Sequence, residues 1–142
     1  MNIKITYNWL LDFLETDASP FEIQKYLSLA GPSIERVEKI DDDYIFYVEI
    51  ISNRIDTASV FGIAQEAAAI LPFFGKKAKI KLNPFSEYKF EKMLMDKLPQ
   101  NYELKVKIKD NNLCSRFTAI VLDNIKITPS PLLIQKRSKA AG

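Results

Sequence analysis

The sequence predicts an α+β chain: a small N-terminal helix/hairpin domain followed by the start of a β-rich domain. Three observations predict it. Strand-like and helix-like runs alternate irregularly over residues 1–83. A proline-punctuated stretch, 84–101, interrupts them. Beyond it the apolar period changes to two, the period of a half-buried strand. The expected division is therefore a domain at 1–83, a linker at 84–101 and an incomplete second domain at 102–142.

Taken in order, Met1 to Thr6 reads as a short strand. Asn8 is placed to cap a short helix carrying Trp9, Leu10, Phe13 and Leu14 on one face, with Asp17 and Ala18 ending it. Ser19-Pro20-Phe21-Glu22 is a capping box with proline at the first helical position. Ile23, Tyr26, Leu27 and Ala30 continue at helical spacing to a Gly31-Pro32 stop. Ile34 to Ile40 and Tyr44 to Ile51 read as two strands of a hairpin turned at Asp41-Asp42-Asp43.

Glu49 to Pro72 is the stretch around which the rest is organised. It runs from an apolar strand through a turn at Ser52-Asn53-Arg54 into a small-residue helix at Thr57 to Leu71, with Asp56 where a cap is wanted. Gly62 lies inside that helix, at a cost of roughly 1 kcal/mol against alanine. A close backbone approach by a neighbouring element is the simplest compensation.

A basic strand is expected at Lys77 to Leu82, and a helical pattern at Phe90, Met93, Leu94 and Leu98. Tyr102, Leu104, Val106 and Ile108 alternate with Glu103, Lys105, Lys107 and Lys109, predicting a strand. Ser115 to Leu122 and Ile125 to Ile127 predict two more. Ser130 and Pro131 then start a helix, as cap and first residue. Three strands and one helix begun make half a domain, so the chain reads as a piece of something longer.

Composition narrows the function. The 142 residues carry a net charge of +2, which by itself argues for neither a nucleic-acid nor a membrane partner. There is no histidine, which removes the commonest general base and the Ser-His and Cys-His nucleophile systems. Four glycines leave no room for a Gly-rich phosphate loop. The single cysteine, Cys114, excludes an internal disulfide and fits a small core residue better than a reactive thiol. No apolar run has the length of a membrane span.

Three ordered pieces of the chain resemble the N-terminal part of the phenylalanine–tRNA ligase beta-subunit family. Tyr7-Asn8-Trp9-Leu10, with Leu29-Ala30-Gly31 and Val37-Glu38, resembles the family's opening. Glu49, Ile50, Asn53, Arg54, Asp56, Ser59, Gly62, Ile63, Ala64, Glu66, Ala68 and Ala69 fall on its strand–turn–helix motif. Cys114-Ser115-Arg116-Phe117, Ser130-Pro131 and Ala140-Ala141-Gly142 resemble the start of its central, editing-bearing domain. The chain departs from the pattern at Ser52, Ile55, Gln65 and Leu133. It also joins the two hairpin strands directly where many bacterial members insert an OB-fold tRNA-binding domain.

The resemblance implies a cytoplasmic heterotetramer of two alpha and two beta subunits. That enzyme joins phenylalanine to its tRNA with ATP and Mg2+. The catalytic and cofactor-binding residues would lie outside this chain, which would be an inactive scaffold and contact region. The alternative reading is a free-standing RNA- or DNA-binding or protein-interaction module, its N-terminal domain winged-helix-like and of nucleic-acid-binding type, with the long helix set against the nucleic acid. Asn53, Arg54, Asp56, Ser59 and Gly62 suit either an interface or a purely structural turn and helix, with Asn53 a residue that tolerates a left-handed backbone and Arg54 paired to an acid. Lys136, Arg137 and Lys139 are candidate phosphate contacts, as are the runs Lys76 to Lys81 and Lys105 to Lys109. Such runs are more often a solvated charged face.

Overall fold

The computed structural model describes residues 2–84 and 104–142. The chain divides into two compact units, Met1–Ser86 with Ser130–Gly142, and Glu87–Pro129.

In the first unit, strand β1 (Asn2–Thr6), strand β3 (Ser33–Ile40) and strand β4 (Asp43–Glu49) form an antiparallel sheet in the order β1-β4-β3. The most apolar strand is thus the central one. Phe46 and Val48 of β4 are completely buried, and opposite them stand Ile5 and Ile3 of β1. A register shift between Ile34 and Arg36 marks a bulge in edge strand β3. Only Asp41 and Asp42 separate β3 from β4, and Asp41 takes a positive φ of 52°, which aspartate tolerates in tight turns. The expected hairpin is therefore present, with its direct connection.

Helix α1 (Tyr7–Leu10) follows β1 without a break. Its cap is Thr6, whose hydroxyl accepts from the Trp9 N–H, and not Asn8. The helix also ends earlier than expected. Leu14–Thr16 forms a short strand, β2, pairing with β5 (Ala78–Ile80). Phe13 and Leu14 therefore do not extend the helix, because the distant strand supplies them with a different partner.

Helix α2 (Pro20–Ala30) is built as expected. Ser19 and Glu22 complete the capping box, and the Gly31 N–H closes the last turn on the Leu27 carbonyl. Ile23 and Leu27 are fully buried.

Helix α3 (Val60–Ile70) is the hub of the core. Ile63, Ala64 and Ala67 have no exposed surface, and they pack with Leu10, Leu14, Ile23, Leu27 and Phe46. Its cap is Ser59, whose hydroxyl accepts from the Gly62 N–H at 2.9 Å. Asp56 is not the cap, since Ile55–Thr57 forms a separate turn of 3-10 helix and its carboxylate is engaged by Arg54. A Cβ built on Gly62 would stand 2.0 Å from the Asp56 carbonyl oxygen. The close approach inferred from sequence is real, and its partner is the turn immediately before the helix. A second 3-10 turn, Leu71–Phe74, follows, and Gly75 leaves it with a left-handed φ of 75°.

Helix α4 (Leu132–Ala141) is present near its expected place, with contacts to β1. Pro131 rather than Ser130 occupies its cap position, and no side-chain oxygen caps it. In the second unit the strands expected at 102–109, 115–122 and 125–127 are not formed among the described residues. Alternation makes a segment ready for pairing but does not supply the partner strand. Leu104, Val106, Phe117, Ile120 and Ile127 are accordingly exposed. Cys114 is half-buried rather than a core residue. The helical pattern expected from Phe90 to Leu98 lies outside the described residues.

Replacing Gly62 by alanine tests the packing directly. Helix propensity alone favours the change by roughly 1 kcal/mol. The clash with the Asp56 carbonyl reverses the sign, and Gly62→Ala is expected to destabilise the fold by about 2 kcal/mol in urea unfolding, in the range of overpacked cores. An unchanged or raised midpoint would contradict this account of the helix.

Candidate functional site

The polar turn leading into α3 is assembled by local rules. Ser52 and Asn53 are the central residues of a turn closed by the Arg54 N–H on the Ile51 carbonyl, at 3.1 Å. Asn53 is exposed and does not have a positive φ, so the turn does not use the left-handed conformation that asparagine tolerates. A tight turn of this closure is accessible without one. The Arg54 carbonyl then accepts from both the backbone N–H and the hydroxyl of Thr57, the latter at 2.7 Å, and Thr57 is buried.

The Arg54 guanidinium joins this turn to α3. Its Nε and Nη2 grip the Asp56 carboxylate at 3.0 and 2.8 Å, and Nη2 also donates to Glu66 Oε1 on the helix. Hydrogen bonds to Asp56 first, then Glu66, raise the arginine pKa. The same contact lowers that of Asp56. The planar fork suits two carboxylates approaching from different directions, which an ammonium cannot reproduce. The predicted residues Asn53, Arg54, Asp56, Ser59 and Gly62 therefore lie in one continuous turn and helix start. Glu66 is the member that sequence reasoning did not pair with Arg54, because the two are twelve residues apart and meet only once the helix packs.

The candidate phosphate contacts are arranged differently. Arg137 is directed at its own fold: Nη2 lies 2.6 Å from Asp12 Oδ2, and the guanidinium sits 5.2 Å from the centre of the Trp9 ring. Lys136 and Lys139 are exposed on α4. In the earlier basic run, Lys79 pairs with Glu15 at 3.2 Å and Lys76 with Glu22. Both carboxylates reduce the local positive field. Among the described residues, no group of three histidine, cysteine or acidic side chains is placed to hold a metal ion. None of the described helices is long and apolar enough to cross a membrane.

Glu22 does two jobs. It caps α2 through the Ser19 N–H and hydroxyl, at 2.9 and 2.8 Å, and it receives Lys76 from beyond the second 3-10 turn. The Lys76 hydrogen bond, then the Ser19 backbone and hydroxyl, bring its pKa down from 4.5 to about 2. A depressed carboxyl stabilises the fold above its unfolded pKa and loses that contribution as pH falls through the folded one.

No family model matches the chain. No solved structure matches it either. Among curated proteins, the phenylalanine–tRNA ligase beta subunit of Rhodopirellula baltica is 31% identical over 138 residues, covering 97% of this chain and 19% of that protein. That of Carboxydothermus hydrogenoformans is 32% identical over 112 residues, covering 79% of this chain and 12% of that protein. That of Clostridium acetobutylicum is 39% identical over 112 residues, covering 79% and 13%. The chain thus spans less than a fifth of the length of these relatives.

The Glu22 linkage is checked by carboxyl-detected NMR titration. Its signal is expected to titrate near 2, with the stabilising contribution lost between about 4.5 and 2. Lys76→Ala should raise that pKa while leaving it below 4.5, because Ser19 still donates to the carboxylate. A normal glutamate titration in the parent chain would refute the linkage.

Proposed function

The homologues of this chain are phenylalanine–tRNA ligase beta subunits, and on that premise we propose that it is the N-terminal scaffold of such a subunit. In this reading it works in the cytoplasm within an assembly of two alpha and two beta subunits. The assembly joins phenylalanine to its tRNA with ATP and Mg2+. The chain itself performs no chemistry and binds no cofactor. Its task is to present a rigid surface to the alpha subunit or to other parts of the enzyme.

One observation supports a scaffold over a reader of nucleic acid. The charged residues and the cap serine of the most distinctive motif are engaged internally: Arg54 with Asp56 and Glu66, and Ser59 with the helix it caps. The accompanying helix offers no cation, since Thr57 to Leu71 contains neither lysine nor arginine. Nucleic-acid affinity is dominated by cations facing phosphates. The second reading, a free-standing nucleic-acid-binding or interaction module, draws on exposed Lys136 and Lys139. The pairing of Arg137 with Asp12 and of Lys79 with Glu15 weakens it.

Parallel titrations separate the two. The chain is expected to bind the alpha subunit from the same organism, and to bind bulk tRNA weakly with a shallow salt dependence. Absence of alpha-subunit binding, together with a steep salt dependence for tRNA, would favour the module and overturn the scaffold.

A further inference from the structure

A cleft of about 190 Å³ opens between the end of α2 and the segment from Glu49 to Thr57. Gly31, Pro32 and Ile51 give it apolar walls, and Glu49 and Arg54 stand among its lining residues. Its volume is below the roughly 300–1,000 Å³ typical of small-molecule pockets and suits a single inserted side chain. Ile51 remains 55% exposed although it lines the cleft, so apolar surface is available there without unfolding anything. Leu29 and Ile55, chain neighbours of this region, are exposed at 66% and 67%.

The electrostatics select the occupant. Arg54, the cation of the lining, is engaged by Asp56 and Glu66, and Glu66 Oε2 would lie 3.1 Å from a Cβ on Gly31. Glu49 is exposed at the end of β4. Two carboxylates thus engage the one guanidinium, and a third, Glu49, lines the same cleft. Helix α2 also ends at this cleft, and the negative end of a helix favours a cation. A phosphate would meet an unfavourable field here, whereas a lysine or arginine would meet a favourable one.

Resting on the scaffold reading, we propose that this cleft is a docking site for a polypeptide segment of the alpha subunit that presents an apolar side chain beside a lysine or arginine. The apolar side chain enters between Pro32 and Ile51, and the neighbouring cation faces Glu49 and the carboxylates around Arg54. The surface would hold a protein partner and repel the backbone of a nucleic acid.

Two variants of exposed residues test this with little risk to the fold, and urea unfolding of each confirms that the fold is kept. Glu49→Lys is expected to weaken binding of the alpha subunit about tenfold at low salt, with the loss shrinking as salt screens the charge. Ile51→Ala is expected to weaken it about tenfold at every salt concentration. Wild-type affinity in both variants would overturn the cleft proposal while leaving the scaffold reading intact. Failure of the parent chain to bind the alpha subunit would instead overturn the scaffold reading.

The cleft is then judged with peptides. N-acetyl-leucyl-lysine amide at millimolar concentration should shift the amide signals of Gly31, Ile51 and Thr57 more than N-acetyl-leucyl-glutamate amide does. Equal or reversed responses would overturn the site. Shifts of those signals by tRNA in place of either peptide would overturn its assignment to a protein partner.

Discussion

The Asp56 carbonyl lies where a side chain at position 62 would begin, and most of the first unit depends on that contact. A Cβ there would come within 2.0 Å of the oxygen, so only glycine lets the turn close onto the helix. With the turn closed, Thr57 is buried and bonded back to Arg54, and Ser59 is placed to cap α3. The helix then offers Ile63, Ala64 and Ala67 to the core, where small side chains allow α2 and the central strand to approach. An interior this dense transmits a one-atom change to its neighbours. The local propensity cost of a helical glycine is accepted because it permits a larger gain in packing.

The polar residues around that contact act as locks. Arg54 spans the turn and the helix, holding Asp56 on one side and Glu66 on the other. Lys76 and Glu22 do the same between the second 3-10 turn and the start of α2. Arg137 ties α4 to Asp12 and covers the Trp9 ring. Each lock joins separate elements, and the last two use basic side chains that the sequence also offered as phosphate contacts. Outward-facing near the motif are Ser52 and Asn53 of the turn and the apolar Ile51 and Ile55, with the Glu49 carboxylate also exposed.

Features governed by neighbouring residues were legible in the sequence. The Ser19–Glu22 box, the Asp41–Asp42 hairpin and the meaning of Gly62 all rest on local chemistry. So did the pairing of Arg54 with an acid, although Glu66 as its second partner needed the packed helix. The choice between Asp56 and Ser59 as cap was not legible, because both fit the rule and the intervening 3-10 turn decides it. Strand β2 was hidden because three residues carry no readable period, and it exists only through pairing of Leu14 with Ile80. The strands expected after residue 101 show the converse, since alternation was clear in Leu104, Val106 and Ile108 and no partner strand is present among the described residues. The family motif was visible because it is dense in turn, cap and close-packing residues.

The central claim is that the motif's charged residues hold the fold together. A double-mutant cycle on Arg54 and Glu66, read by urea unfolding of Arg54→Ala, Glu66→Ala and the double variant, tests it most directly. The account predicts a favourable, non-additive coupling, because an ion pair in direct contact does not behave as two independent sites. Additive effects, within about 0.3 kcal/mol, would mean that the two side chains do not act as a lock, and would contradict it.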